Sequence, residues 1–376
     1  MGASWASGGY RTTMPALRTA AAAALGVLLV GACASEQSAQ QPPASPATAT
    51  TTGLLPPGVP TEGSRPPTAG LPPPAEPQSA PPPTAPVPGR IVAVGAQPEG
   101  IVVDARTRTV AVLTRKPNEL VLLDADTAEV TVRTALPGFG RHLQLARPGG
   151  PVLVPVESAD ALVRVALPGG EAQPQIVTGT FPHDASEAAD GTVFVANELG
   201  GTVTVLRGDE ILRVFTDSVQ PAGLAPVGTA MGMLDVRKND LTVYDSERLT
   251  VVGTTPAGEG PTHQVADRNG RLIVTDTRGD AVRVFDPLPQ PREIAVVAQP
   301  GGPYGITYDP TRDRVWVTSS GTNEVVGYDM ADATPREVAR FATVQNPYTV
   351  AVDAASGRLF VTGLTGGVVQ IIDATS

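Results

Sequence analysis

The stretch Arg314–Asp329 reads RVWVTSSGTNEVVGYD, and Arg358–Asp373 reads RLFVTGLTGGVVQIID. Each is a β-branched strand, a polar loop with glycine, and a second strand that ends in Asp. The same unit recurs seven times, and the turns that introduce it are spaced by 39 to 44 residues; they begin at Pro98, Gly140, Pro182, Pro221, Pro261, Pro303 and Pro347. A period near 40 with several short strands per unit and no helical periodicity indicates the blades of a propeller. The sequence therefore predicts an all-β fold, a seven-bladed β-propeller.

A candidate for closing the ring precedes the first repeat. The final repeat ends after its third strand, whereas residues 90–96 (RIVAVGA) form an additional strand with alternating β-branched residues. If this strand joined the last blade, the sheet edges that invite aggregation would be protected. We therefore expect strand 90–96 to complete the last blade, the alternative being a simple N-terminal extension.

The N-terminus has the pattern of a signal peptide. Two arginines precede the apolar run Ala20–Val30, which is short for a membrane span. The run ends in VGAC at 30–33, which resembles a bacterial lipobox, and Cys33 is the only cysteine of the chain. The resemblance implies a lipoprotein signal peptide over 1–32, diacylglycerol on Cys33 with palmitate as an acyl chain, and a location on the extracytoplasmic side of the cell membrane. An ordinary secretory signal is the alternative, and translation starts at Met1 or Met14.

The composition of residues 33–89 is that of a linker. After Cys33 this tract consists mainly of Pro, Ala, Ser, Thr and Gln, which cannot bury enough apolar surface to offset the cost of ordering. We expect a disordered tether over 33–89 and one propeller domain over 90–376. The net charge of −10, without a basic stripe, disfavours nucleic acid as a partner, because that binding depends on neutralising phosphates.

The repeat units resemble those of a known family. The units at 314–329 and 358–373, with the turns PEGIVVD at 98–104 and PYTVAVD at 347–353, are similar to the YVTN-type repeats of YncE-like propellers and to the related NHL repeats. The resemblance implies a propeller over 90–376. It leaves the activity open, because such propellers include lyases, lactonases and binding scaffolds.

The three histidines of the chain share one position in the repeat. In a propeller, the residues that follow each turn and those at the end of each second strand meet at one mouth of the central channel. His142, His183 and His263 all lie within two residues of a turn Pro or Gly. Three imidazoles could bind one divalent ion, Zn²⁺ or Ca²⁺, with an open position for catalysis, an arrangement that resembles the zinc site of the NHL-type amidating lyase. The alternatives are a polar ligand site without metal and histidines that only cap turns.

Further candidates for ligand binding occupy the same positions of the repeat. Tyr304 and Tyr348 follow turns in adjacent blades and predict an aromatic wall or simple packing at the rim. The other candidates are Glu99, Arg141 and Asp184 after the turns, and Asn197, Asp235 and Asp276 at the strand ends. The repeats contain no Gly-x-Ser-x-Gly motif, no phosphate loop and no cysteine. We therefore expect a binding scaffold without catalytic residues, which meets an envelope protein, peptide or glycan; the alternative is a metal-dependent lyase or lactonase.

Overall fold

The fold is an all-β ring. The computed structural model describes residues 67–374; the predicted signal peptide, Cys33 and residues 34–66 of the predicted tether lie outside the described residues. Within the described residues, 28 strands form seven four-stranded antiparallel sheets, each of which is one blade. The predicted seven-bladed β-propeller is confirmed. No helix between residues 67 and 374 is long and apolar enough to cross a membrane.

The first three blades follow β1, which spans Arg90–Ala93, and in each of them the strands run in chain order from the channel outward. Blade 1 contains β2 (Ile101–Asp104), β3 (Thr109–Thr114), β4 (Glu119–Asp124) and β5 (Val130–Ala135). Blade 2 contains β6 (Gln144–Leu145), β7 (Val152–Val156), a single 3-10 turn (Glu157–Ala159), β8 (Ala161–Val165) and β9 (Ile176–Val177). Blade 3 contains β10 (Pro182–Glu187), β11 (Thr192–Asn197), β12 (Thr202–Arg207) and β13 (Glu210–Phe215).

The other four blades repeat this order. Blade 4 contains β14 (Pro221–Val227), β15 (Ala230–Asp235), β16 (Asp240–Asp245) and β17 (Thr250–Pro256). Blade 5 contains β18 (Pro261–Ala266), β19 (Leu272–Asp276), β20 (Ala281–Asp286) and β21 (Arg292–Ala298). Blade 6 contains β22 (Pro303–Asp309), β23 (Arg314–Ser319), β24 (Glu324–Asp329) and β25 (Arg336–Ala342), and blade 7 contains β26 (Pro347–Val352), β27 (Arg358–Gly363) and β28 (Val368–Asp373).

The hydrophobic core lies between neighbouring blades. Successive side chains of a strand point to opposite faces of the sheet, and every residue of β3 is buried. Val112 packs toward blade 7 with Phe360, whereas the next residue, Leu113, packs toward blade 2 with Val154. Burying each such side chain contributes about 1.5–3 kcal/mol. Aliphatic residues on both faces of the inner strands therefore fix the blades against each other.

The outermost strand of blade 7 comes from the other end of the repeats. β1 pairs antiparallel with β28, with Ala93 opposite Val368. Val92 packs into the apolar cluster between blades 7 and 1. The pairing covers four residues, fewer than the expected 90–96, because the chain turns at Gly95, whose φ of +140° favours glycine. One sheet thus joins the two ends of the ring.

The structure differs from the predicted tether over residues 67–89, which we name the strap. The strap lies on the face of the ring where the innermost strands begin, which we name the mouth face, and its residues Ala75 and Ala80 are buried. The side-chain amide of Asn323 donates to the carbonyl of Pro81 at 2.8 Å. The expectation of disorder fails here because the strap needs no core of its own: the finished propeller supplies a surface and hydrogen-bond donors. Residues 34–66 lie outside the described residues.

Candidate functional site

A layer of five aromatic rings closes the central channel at the mouth face, and we name it the plug. The ring centroids of His142 and His183 lie 4.3 Å apart, and those of His142 and His263 lie 4.5 Å apart. Tyr304 lies 4.4 Å from His263, and Tyr348 lies 5.0 Å from Tyr304. The structure therefore brings together all three predicted histidines and both predicted tyrosines.

The plug forms because the blades contribute side chains of unequal size. Blade 4 places only Ala222 and Gly223 at this level of the channel. His263 of blade 5 extends to His142 of blade 2, where the two Nε2 atoms lie 3.1 Å apart. The hydroxyl groups of Tyr304 and Tyr348 continue the layer with a hydrogen bond of 3.2 Å. Two pairs of plug side chains, one of histidines and one of tyrosines, thus bond to each other, while His263 Nδ1 has no hydrogen-bond partner among the described residues.

Two of the three imidazoles are held in the neutral form. Burial, together with repulsion from the His183 and Arg141 charges, lowers the pKa of His263 to about 3. Burial also lowers the pKa of His142 well below its ordinary value, and His183 and His263 add to that effect. Burial disfavours charge on His183 as well, but the Glu198 and Glu157 carboxylates outweigh it and raise the pKa of this group. Of the three histidines, His183 is therefore the one whose protonated form the neighbouring carboxylates favour.

A charged cluster adjoins the plug on its mouth side, and we name it the mouth cluster: Arg141, Glu157, His183 and Glu198. Arg141 donates from Nε to Glu157 Oε1 at 2.7 Å and from Nη2 to Glu198 Oε2 at 2.9 Å. His183 Nδ1 lies 3.0 Å from the same Glu157 oxygen and 3.4 Å from the same Glu198 oxygen. Burial works to raise the pKa of Glu157, but His183 and Arg141 hold it below its ordinary value. Arg141 and His183 therefore share the same two carboxylate oxygens in a buried site.

The mouth cluster shares one residue, His183, with the predicted metal site of His142, His183 and His263. Glu157, His183 and Glu198 each offer one ligand atom within 4.8 Å of the others, a spacing that could hold a metal ion. The guanidinium of Arg141, however, already bonds to the two carboxylate oxygens that face His183. A divalent cation would lie against this permanent positive charge, which costs energy in a buried site. The donor set fits a resident guanidinium better than a metal, and His142 and His263 lie in the plug instead.

The predicted Glu99 forms a second ion pair near the plug. Arg115 donates to Glu99 at 2.9 Å, and both belong to blade 1. Burial raises the pKa of Glu99 to about 6, although the charges of Arg115 and Arg141 oppose the rise. Glu99 is therefore a buried, paired carboxyl rather than an open ligand contact.

Three predicted ligand-binding residues have structural roles instead. Asn197 donates to the Thr178 carbonyl and to two threonine hydroxyl groups of its own blade. The carboxylate of Asp235 accepts four backbone N–H groups of adjacent loops, and that of Asp276 accepts three and pairs with Arg283. Short polar side chains at strand ends commonly fix turns in this way. These hydrogen bonds give the three side chains a structural role, and their contact with a ligand stays a prediction.

Glu157 and Glu198 were missed by the sequence analysis, although a signal for them exists. Each is the first residue after the second strand of its blade, directly after Val156 and Asn197. Because side chains alternate along a strand, the side chain of this next residue points away from that of the last strand residue. At positions 157 and 198 it reaches the mouth cluster. The same register gives Arg115 in blade 1. Selecting the residue one position after each second strand would have identified Glu157, Glu198 and Arg115 as site residues.

Cavities lie on both sides of the plug. Between the plug and the strap is a cavity of about 20 Å³, lined by Arg141, His183, Glu198, His263 and Tyr304 with Pro74–Glu76 of the strap. Beyond the plug, the channel holds about 900 Å³ and extends past the innermost strands to the opposite face of the ring, which we name the far face. Asp184 lines this channel, where burial raises its pKa to about 6. Its Oδ2 accepts hydrogen bonds from Leu224 N and Gln144 Nε2, both at 2.8 Å.

Comparison with known proteins agrees with this fold. No known protein family and no curated protein sequence matches the chain. Among solved structures, the chain is similar to Kuenenia stuttgartiensis hydrazine synthase (16% identity, TM-score 0.65, covering 74% of this chain and 96% of that one) and to virginiamycin B lyase from Staphylococcus aureus (15%, 0.59, 75% and 99%). It is also similar to the Cps50 (Swd1) β-propeller domain of Myceliophteria thermophila (12%, 0.62, 76% and 99%). At such identities the likeness shows the fold: the chain is a β-propeller.

Proposed function

We propose that this protein is an envelope-anchored, YncE-like binding module that takes a small ligand in its central channel from the far face. The observation that carries the proposal is the channel of about 900 Å³, which ends at the plug. Pockets for small molecules have volumes of about 300–1,000 Å³. On the mouth side, the cavity under the strap holds about 20 Å³, which accommodates about one water molecule.

The channel walls define the class of ligand. Val265, Ile306 and Val350 belong to an apolar wall. At the inner end, neutral imidazoles of His142 and His263 and the carboxyl of Asp184 supply hydrogen-bonding groups. A ligand with an apolar body and one hydrogen-bonding end fits this distribution, because the body is desolvated while the polar end keeps its hydrogen bonds.

Filling the channel tests the proposal. Ile306 is half-buried on the channel wall, whereas Val296 is exposed on the outermost strand of blade 5. The full chain with Ile306→Trp or Val296→Trp is titrated with anilinonaphthalene sulfonate, a fluorescent probe with an apolar body and one polar end. We expect Ile306→Trp to weaken binding at least tenfold and Val296→Trp to bind as the unchanged chain does. Equal binding by both variants would rule out the channel as the site.

The membrane anchor is a separate part of the proposal. It is supported by the lipobox-like VGAC at 30–33 and by the lack of any other cysteine in the chain. Cys33→Ala should move the protein from the membrane fraction to the soluble fraction of cells, while Ser35→Ala should leave it in the membrane fraction. A Cys33→Ala protein that stays in the membrane fraction would exclude lipid attachment as the anchor.

The alternative function, a metal-dependent lyase or lactonase, is less well supported. It relies on Glu157, His183 and Glu198 as metal ligands. Arg141 bonds to the two carboxylate oxygens that face His183, so a divalent ion at that position would lie against its guanidinium charge. The binding function requires no such ion and is therefore preferred.

A further inference from the structure

The strap is held on the mouth face mainly through its backbone carbonyl groups. Arg237 donates to the carbonyls of Thr68 and Leu71, at 3.3 and 3.2 Å, and Arg278 donates to that of Pro73 at 2.7 Å. Farther along, Gln345 donates to the carbonyl of Ala80 at 2.9 Å, and Asn323 donates to that of Pro81 at 2.8 Å. These donors come from blades 4 to 7. Ten of the 23 strap residues are proline, which lacks an N–H but keeps its carbonyl.

The mouth face has recesses that match small side chains of the strap. Ala75 is 8% exposed, and a Cβ atom added to Gly260 would lie 2.7 Å from the Ala75 methyl group. A Cβ added to Gly321 would lie 2.5 Å from the side-chain oxygen of Gln78. Neither glycine has a positive φ. The backbone conformation therefore does not require glycine at either position. Propeller atoms are also close at both positions, with Arg278 Cβ 2.8 Å from the added atom at 260 and the Gly301 carbonyl oxygen 3.0 Å from that at 321, so glycine there suits both the ring and the strap.

The strap also brings one ionisable side chain to this face. Glu76 follows the buried Ala75 and lines the small cavity beside the mouth cluster. Desolvation, together with the Glu198 charge, raises the pKa of Glu76, and Arg141 and His183 offset this only in part. The surface therefore selects the bound chain at Ala75 by shape, and it does not select a charge at position 76.

We propose that the mouth face is a docking surface for an extended, proline-rich segment of a partner protein, and that the strap occupies this surface in cis. The partner's segment has a small residue at the position of Ala75. Extended proline-rich chains are recognised in this manner because they are already ordered and expose their carbonyls. Since Pro74–Glu76 also cover the mouth cluster, exchange of the strap for the partner uncovers Arg141 and His183.

The experiment uses the full chain and a fluorescein-labelled synthetic peptide with the sequence of residues 67–89. A tethered segment acts at an effective concentration of about 1 mM, so the unchanged chain should bind the peptide poorly. Ala75→Arg places a long charged side chain where the surface accepts a methyl group and should release the strap. Ser79→Arg is the matched control, because Ser79 is exposed in the same strap.

We expect fluorescence anisotropy to show at least tenfold tighter peptide binding by the Ala75→Arg chain than by the unchanged or Ser79→Arg chain. In the Ala75→Arg background, Asn323→Ala with Gln345→Ala should then weaken binding at least tenfold. A labelled peptide with the same composition in scrambled order should not bind. Circular dichroism melting of each variant shows whether the propeller is folded, and Gly260→Val, which acts from the propeller side, should block the peptide in a folded Ala75→Arg chain.

Three results would overturn the proposal. The first is equal binding by the unchanged, Ala75→Arg and Ser79→Arg chains. The second is equal binding of the native and scrambled peptides. The third is a dimer of the unchanged chain that the peptide dissociates, as measured by light scattering, because this would assign the surface to the strap of a second copy. None of these results depends on ligand binding in the channel, so the two proposals can fail separately.

Discussion

His263 and His142 meet across the channel from blades 5 and 2, with their Nε2 atoms 3.1 Å apart. A neutral imidazole carries one N–H, so one ring donates in this contact and the other accepts. A second proton would place two N–H groups against each other in a buried site. The contact therefore favours the neutral form of both rings, and histidine suits both positions because it offers both roles.

The stability of the propeller should depend on pH through His263. Its pKa is about 3 in the folded state, below the ordinary value of about 6.5, so the unfolded chain binds a proton first as pH falls. The stabilisation is therefore complete above pH 6.5 and is lost as pH falls toward 3. Between pH 6.5 and 5 the loss should be about 2 kcal/mol, at about 1.4 kcal/mol per pH unit. Urea unfolding of the unchanged chain and of His263→Phe measures this difference.

The comparison with His263→Phe removes the contribution of groups that do not contact His263, and the measured difference belongs to His263 together with its partner His142. Asp184 and Glu99 have raised pKa values of about 6, so their contribution to stability changes in the opposite direction, falling as pH rises through that range. They are present in both proteins and cancel in the difference. Parallel stability curves between pH 6.5 and 5 would show that His263 is not held neutral.

The mouth cluster should contribute strongly to stability. Glu157→Gln removes one carboxylate and leaves Arg141 and His183 with Glu198 alone, in a site where Glu157 is 1% exposed. Breaking a buried ion pair typically costs about 3–5 kcal/mol. The matched carboxyl-to-amide control is Asp329→Asn, whose partner Arg336 is largely exposed, and it should cost less than about 1 kcal/mol. Similar unfolding free energies for the two variants would contradict this account of the cluster.

The sequence contains enough information for the ring and for much of the site, since the repeat register placed His142, His183, His263 and both tyrosines at one mouth. Their mutual contacts were not predictable, because His263 reaches His142 only where blade 4 contributes no large side chain. The strap was missed for a different reason. Composition tells whether a segment can form its own core, and it says nothing about a surface that other residues, such as Asn323, provide.

The junction of the ring should depend on one face of β1. Val92 packs into the apolar cluster between blades 7 and 1, whereas its neighbour Ile91 is 50% exposed. Val92→Asp places a charge in that cluster and should lower the unfolding free energy by about 2–3 kcal/mol. Ile91→Asp should lower it by less than about 1 kcal/mol, since successive side chains lie on opposite faces. Urea unfolding measures both, and equal losses would mean that β1 does not complete blade 7 in solution.

Metal binding should be absent until Arg141 is removed. In the unchanged chain the guanidinium holds the oxygens of Glu157 and Glu198 that face His183, and it repels a divalent ion. Arg141→Met keeps an unbranched apolar side chain but removes the guanidinium and its charge, leaving two carboxylates and one imidazole, a donor set that binds zinc. We expect elemental analysis after dialysis against Zn²⁺ to find less than about 0.1 ion per unchanged chain and at least tenfold more in Arg141→Met. His183→Ala in the Arg141→Met background should abolish the gain. Stoichiometric Zn²⁺ in the unchanged chain that His183→Ala removes would show that the ion tolerates the guanidinium, and the metal-dependent lyase or lactonase would then become the better proposal.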